Sequence, residues 1–234
     1  MSHFLIIVFL FFMGCVGGWV LELLFRRGVH GKWVNPGFLV GPYLPLYGTG
    51  LVLMFWLCDL LSGVAGGSGV LHYVLVILIL MVAMTALEYV TGLIFIKGMK
   101  VKLWDYSKRP GNIQGIICPL FTLLWGGVGA AYYLFLHPAV MRSLYWLADN
   151  LAFSFVIGLF FGIFLIDVVY SFRLVTRIRG WADENQVVVH YENLKTSIRD
   201  EIKETQKKYD FLFPFKSARS MLEELEDYWR SYLK

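Results

Sequence analysis

The sequence predicts an all-α, polytopic membrane helix bundle of about five transmembrane helices, with a cytoplasmic helical hairpin as its tail. Three observations predict it. The chain of 234 residues is 58% hydrophobic and only 16% charged, where a soluble domain carries about 25% charged residues. Its mean hydropathy of +0.62 means more apolar surface than a core of this size can hide. Its Lys and Arg residues cluster in alternate connections between apolar runs, the signature of oriented insertion.

A spanning helix needs about 20 mostly apolar residues. The spans read as residues 4–25, 45–62, 71–96, 113–136 and 151–172. The N-terminus has no Lys or Arg before its apolar run and no clear small-residue cleavage site, so the first segment is expected to remain in the mature protein. The second span opens inside WVNPGFLVGPYLPLYGTG, residues 33–50. Pro36, Pro42 and Pro45 remove backbone donors there and disfavour a continuous helix. Gly37, Gly41, Gly48 and Gly50 permit unusual backbone angles and close helix contact. Non-helical backbone at membrane depth is tolerated only where protein buries it or it lines a water-filled cavity. Segments two and four can each be read as a re-entrant turn followed by a shorter helix.

The connections set the orientation. Arg26, Arg27 and Lys32 follow the first span, and Lys97, Lys100, Lys102, Lys108 and Arg109 follow the third. Arg173, Arg177 and Arg179 follow the fifth, while SGVAGGSG after the second span carries no charge. Basic residues stay on the cytoplasmic side, so the N-terminus is expected outside and the C-terminus inside. The domain division is residues 1–179 in the membrane and 180–234 as the tail. In the tail, Val187, Tyr191, Leu194, Ile198, Thr205 and Tyr209 recur at helical steps among charges, and Pro214 breaks that pattern. Ser217 then caps a second helix with Met221, Leu222 and Leu225 on one side. The tail is either a solvated extension or an arm for docking or oligomerisation.

Two stretches echo each other. Glu22 and Glu88 each stand near the inner end of a span, before a basic connection. Asn35 and Gly37 follow in one copy, Asn112 and Gly115 in the other, and each copy ends in an aromatic–Gly pair, Tyr47-Gly48 and Trp125-Gly126. Both copies run out-to-in and then in-to-out, which makes a parallel internal repeat. It gathers Glu22, the broken segment, Glu88 and Trp104-Asp105-Tyr106-Ser107 at one face.

Ionisable groups at membrane depth usually face protein or water and pair up. Glu22 and Glu88 therefore read as carboxylates of a cytoplasmic vestibule, holding a cation, a proton or a donor group. The plainer alternative is that each snorkels to the interface, Glu22 against Arg26 four residues on. Trp104 to Ser107 read as an interfacial anchor or as a lid with Lys108 and Arg109. Asp167 is expected to pair with the basic cluster at Arg173. The vestibule candidates are Glu22, Asn35, Gly37, Gly41, Pro42, Tyr47, Glu88, Tyr89, Trp104, Asp105, Tyr106, Ser107, Asn112 and Trp125. Cys15, Cys58 and Cys118 lie in apolar runs without metal spacing, and the five histidines are scattered, so no metal and no cofactor are expected. The chain has no phosphate-binding G-x-x-x-x-G-K-[ST] loop, no H-E-x-x-H and no Gly-x-Ser-x-Gly elbow. Nothing recommends nucleic acid as a partner.

These residues carry a resemblance. Glu22 with Asn35-x-Gly37-Phe38-Leu39-x-Gly41-Pro42, Pro45-x-Tyr47-Gly48-x-Gly50, then Leu87-Glu88-Tyr89-x-Thr91, Trp104 to Ser107, Asn112, Gly115 and Trp125-Gly126 resemble the bacterial membrane proteins known as putative ABC-transporter type IV, or CmpB-like. The resemblance covers about residues 10–130. It implies a permease-like subunit of the bacterial inner membrane that works with a separate ATPase. Pro36 and Ile116 stand where the family pattern has basic residues, at corresponding places in the two copies.

Three functions follow from these features. The first is a transport component acting as a homo-oligomer, or with a separate ATPase or other protein subunit. The second is a sensor or scaffold that binds a lipid or small ligand and signals through its tail. The third is an intramembrane enzyme on a lipid substrate, which lacks a nucleophile constellation and ranks last. The bilayer itself is a partner, and the basic connections attract anionic lipid.

Overall fold

The computed structural model describes residues 2–31, 33, 35–64, 69–184, 186–191 and 193–194. Its frame is a bundle of apolar helices: α1 His3–His30, α2 Pro45–Val64, α3 Val70–Leu93, α4 Pro119–Ala131, α5 His137–Asp149 and α6 Ser154–Glu184. Among the described residues, four continuous helical segments are long and apolar enough to cross a membrane, and α2 supplies a shorter fifth. The chain is a membrane protein.

Local chemistry sets the helix ends. Ser2 caps α1, its Oγ accepting from the Leu5 N–H, and Gly31 closes it with φ +68° and an N–H to the Arg27 carbonyl. This is the left-handed cap that glycine makes without penalty. Prolines open α2 and α4, at Pro45 and Pro119, where a missing N–H costs nothing.

The fourth helix differs from its sequence-based bounds at both ends. It starts at Pro119 rather than Ile113, because Gln114 and Gly115 hold left-handed angles. It then runs through a wide turn, Tyr132–Leu136, into α5. Pro138 accounts for that turn: its ring cannot accept the usual close carbonyl in the preceding turn, so the helix widens by one residue instead of ending. The helix continues to Asp149 because Val140, Leu144 and Leu147 form a buried stripe. A similar wide turn, Ile94–Gly98, ends α3.

The main core joins Phe9 and Leu10 of α1, Phe55 and Cys58 of α2, Leu80 and Met84 of α3, Tyr132, and Ile157 of α6. The helices pair as two hairpins. α1 and α2 touch almost backbone to backbone: a Cβ on Gly48 would lie 2.8 Å from the Phe11 carbonyl oxygen. α3 and α4 meet where Gly126 faces the Met81 side chain. Contacts of this kind let glycine bring membrane helices together.

A second core lies at the end of the bundle that carries the basic connections. Val101 and Lys102 form β1, which pairs in parallel with Val189 and His190 of β2. Val175, Ile178 and Ala182 of α6 pack beneath it with Tyr191 and Leu194. Thus α6 runs across residue 180, and Val189–His190 form a strand rather than a helix, because their backbone pairs with β1 and the Val189 side chain is buried in this core. The rest of the expected tail hairpin, 195–234, lies outside the described residues.

Candidate functional site

The segment 35–44 has no helix, yet Pro36, Leu39, Tyr43 and Leu44 are buried. Its backbone is satisfied piece by piece, as burial demands. Asn35 receives the Trp19 indole N–H at 2.6 Å and donates to the Leu39 and Val40 carbonyls. Gly37 turns the chain with φ +77°. A tight turn about Pro42 closes with the Tyr43 N–H on the Gly41 carbonyl at 2.9 Å, and the Leu44 N–H reaches back to the Cys15 carbonyl of α1 at 3.0 Å.

Two further donors of the segment go to Asp167 of α6. Its Oδ1 accepts from the Val40 N–H at 3.2 Å and from Ser171 Oγ at 2.8 Å, and its Oδ2 from the Gly41 N–H at 2.7 Å. The pairing of Asp167 with the Arg173 cluster is therefore not what forms. A buried carboxylate gains more from fixed N–H donors than from a cation that can reach water. Sequence reasoning missed this role. The available signal was the broken segment itself, whose unpaired amides needed a buried acceptor. Tyr43 lies beside Asp167, and burial first, then that carboxylate, pushes its phenol well above the usual range.

The second connection, 99–118, is built differently. Trp104 Nε1 donates to the Ile116 carbonyl at 2.8 Å. Asn112 donates to the Ser107 and Arg109 carbonyls and accepts from the Gly115 N–H at 3.0 Å. Gly115 has φ +68°, and a Cβ there would press on Ser107, Asp105 and Lys102. Asp105 receives Ser107 Oγ at 2.6 Å, the Ser107 N–H and Lys102 Nζ, with His190 of β2 at 3.6 Å. Partial burial raises its carboxyl, but the hydrogen bonds from Ser107 and Lys102 outweigh this and hold it down at about 2.

The two carboxylates sit where these connections meet the helices. Glu22 accepts from Arg26 Nε at 3.0 Å and from the Tyr47 hydroxyl at 2.9 Å. Glu88, 4% exposed, accepts from the Tyr106 hydroxyl and from Trp125 Nε1, both at 3.0 Å. The Tyr47 and Trp125 rings lie 5.9 Å apart, and Tyr106 stacks on Phe121 at 4.2 Å. Burial, followed by the nearby Glu88 carboxylate, pushes the Tyr106 phenol far above its ordinary value.

Glu22, Tyr47, Glu88, Tyr106 and Trp125 are thus brought together. Asn35, Asn112, Trp104 and Ser107 instead fasten their own connections. Gly37, Gly41 and Pro42 shape the strap, and half-buried Tyr89 shares no hydrogen bond with the carboxylates. Pro36 and Ile116, at the positions expected to be basic, are both buried, with Ile116 against Gly92. No group of three or more His, Cys, Asp or Glu able to hold a metal occurs among the described residues.

Compared with known proteins, the chain matches the family model described as Putative ABC-transporter type IV over residues 9–172. The match reaches through the fifth span and includes Asp167, beyond the 10–130 read from the motifs. No curated protein and no solved structure matches.

Proposed function

This chain belongs to the family described as Putative ABC-transporter type IV, and on that premise we propose that it is a permease-like transport component of a bacterial inner membrane. Its ligand site is a vestibule at the cytoplasmic face, where the two helical hairpins meet. One observation carries this reading. Each of two carboxylates at membrane depth accepts a hydrogen bond from the aromatic member of an aromatic–Gly pair in the next helix, and those two aromatics lie side by side. Such groups mark substrate and ion pathways.

The hairpins are read as a parallel internal repeat. Glu, Asn, a left-handed Gly and the aromatic–Gly pair recur in the same order in both. The basic connections put this end in the cytoplasm and the N-terminus outside, within reach of anionic lipid headgroups. Glu22 is already matched by Arg26, whereas Glu88 meets two neutral donors and no cation among the described residues. Glu88 is therefore the residue that takes a cation, a proton or a donor group from the substrate. Five spans make a thin pathway, so a second copy, a separate ATPase or another subunit completes it.

Native mass spectrometry of the purified protein tests the assembly. A stoichiometric ATPase supports the permease, and a tightly held lipid or metabolite with no ATPase favours the second reading. That second reading is a sensor that signals through its tail. It draws on the β1–β2 pairing and the His190–Asp105 contact, which tie the chain after α6 to the second connection. Glu88→Gln is expected to abolish uptake or ligand retention with the fold intact. Unchanged activity in that variant would sink the vestibule.

A further inference from the structure

We infer that α6 and the strand after it form a clasp that governs opening of the vestibule, with Asp167 as its positioning residue. The strap 35–44 forms one wall of the site, since it leads directly into Tyr47. It is gripped at two neighbouring points by elements far away in the chain. Asp167 holds the Val40 and Gly41 N–H groups with both carboxylate oxygens. The Tyr191 hydroxyl donates to the Phe38 carbonyl at 3.2 Å. Between them, Phe38 packs against the core that β1, β2 and the end of α6 share.

The same α6 unit also grips the other wall. β2 pairs with β1, and His190 approaches Asp105 within the connection that delivers Tyr106 to Glu88. One helix, Ser154–Glu184, and the short stretch that follows it carry both grips. A pull on the chain beyond β2 therefore acts on both walls together. Two adjacent backbone amides facing one carboxylate make a discrete contact, made or broken, of the kind a two-state element needs. The inference rests on the vestibule reading for what the movement opens, and the movement itself is measured separately.

Cys15 reports on it. It is fully buried under the strap with Leu39, Tyr43 and Phe164. With Cys58 and Cys118 replaced by Ala, a water-soluble maleimide is applied to the intact protein, and the labelled peptide is mapped by mass spectrometry. Asp167→Asn is expected to speed labelling of Cys15 about tenfold, an opening shift of about 1.4 kcal/mol. Tyr191→Phe, which leaves the membrane segment untouched, is expected to speed it about threefold. The pair Val101→Cys and Val189→Cys, neighbours in register, forms a disulfide that returns the Asp167→Asn rate to that of the parent. Reduction restores the fast rate. A misfolded variant would not be rescued by that distant crosslink. Parent-rate labelling in Asp167→Asn and Tyr191→Phe, or fast labelling that persists in the crosslinked protein, overturns the clasp. Neither result bears on Glu88, whose loss of activity is read by uptake.

Discussion

The two hairpins each carry a glutamate on their first helix and treat it oppositely. In α1–α2, Glu22 is half-exposed and its charge is answered by Arg26 one turn on, at 3.0 Å. In α3–α4, Glu88 is buried and, among the described residues, answered by a phenol and an indole, both neutral. The connections invert this pattern. The first has no carboxylate of its own and borrows Asp167 from α6. The second carries Asp105, which binds its own Ser107 and Lys102. The difference teaches where dependence lies: the first hairpin has a self-sufficient glutamate and a borrowed strap, the second a self-sufficient connection and a glutamate reliant on its neighbours.

The largest test of that contrast removes each glutamate. Glu88→Ala strands two buried donors and is expected to cost about 3 kcal/mol. Glu22→Ala is expected to cost less, about 1 kcal/mol, because the Glu22 carboxylate is itself partly exposed and its pair with Arg26 is screened by solvent. Equal losses in detergent unfolding would erase the distinction between the two sites. Next in size is the helix contact. Gly48→Ala drives a methyl into the Phe11 backbone and the Cys15 sulfur and is expected to cost about 2 kcal/mol. Gly126→Ala meets the flexible end of Met81 at 3.1 Å, which can move aside, and is expected to change stability by less than about 0.5 kcal/mol. Melting temperatures of the two variants, measured side by side, check the order.

The smallest effect is on pH. Asp105 is held below its ordinary value, at about 2, so its contribution is fully present above about pH 4 and is lost as pH falls towards 2. Solvent screening keeps that contribution under about 1 kcal/mol. Hydrogen exchange at the Ser107 amide is expected to accelerate over this window in the parent and to lose the pH step in Asp105→Asn.

Much of the frame was legible in the sequence, because its causes are local. Apolar length marks the membrane helices, and Pro45 opens one of them. The pairing of Glu22 with Arg26 is a four-residue spacing on one helix. The continuation of the fourth helix past Pro138 was not legible, since a proline reads as a stop until Val140, Leu144 and Leu147 are seen to be buried. Nor was the extended stretch at Val189–His190, whose apolar residues fit a helical spacing equally well until β1 is present to pair with them.

The sequence by itself therefore determined a helical membrane bundle, a broken and buried connection before α2, and carboxylates within apolar helices. Composition, proline and glycine dictate these whatever the chain's path. Only the tertiary structure decided which groups answer which. Asp167 meets amides 126 residues away in sequence, and Tyr191 a carbonyl 153 residues away. Tyr106 and Trp125 converge on Glu88 from a connection and a helix that no local spacing relates. Such pairings carry no sequence period. They follow from the demand that every buried polar group find a partner, and which partner it finds depends on how the helices pack.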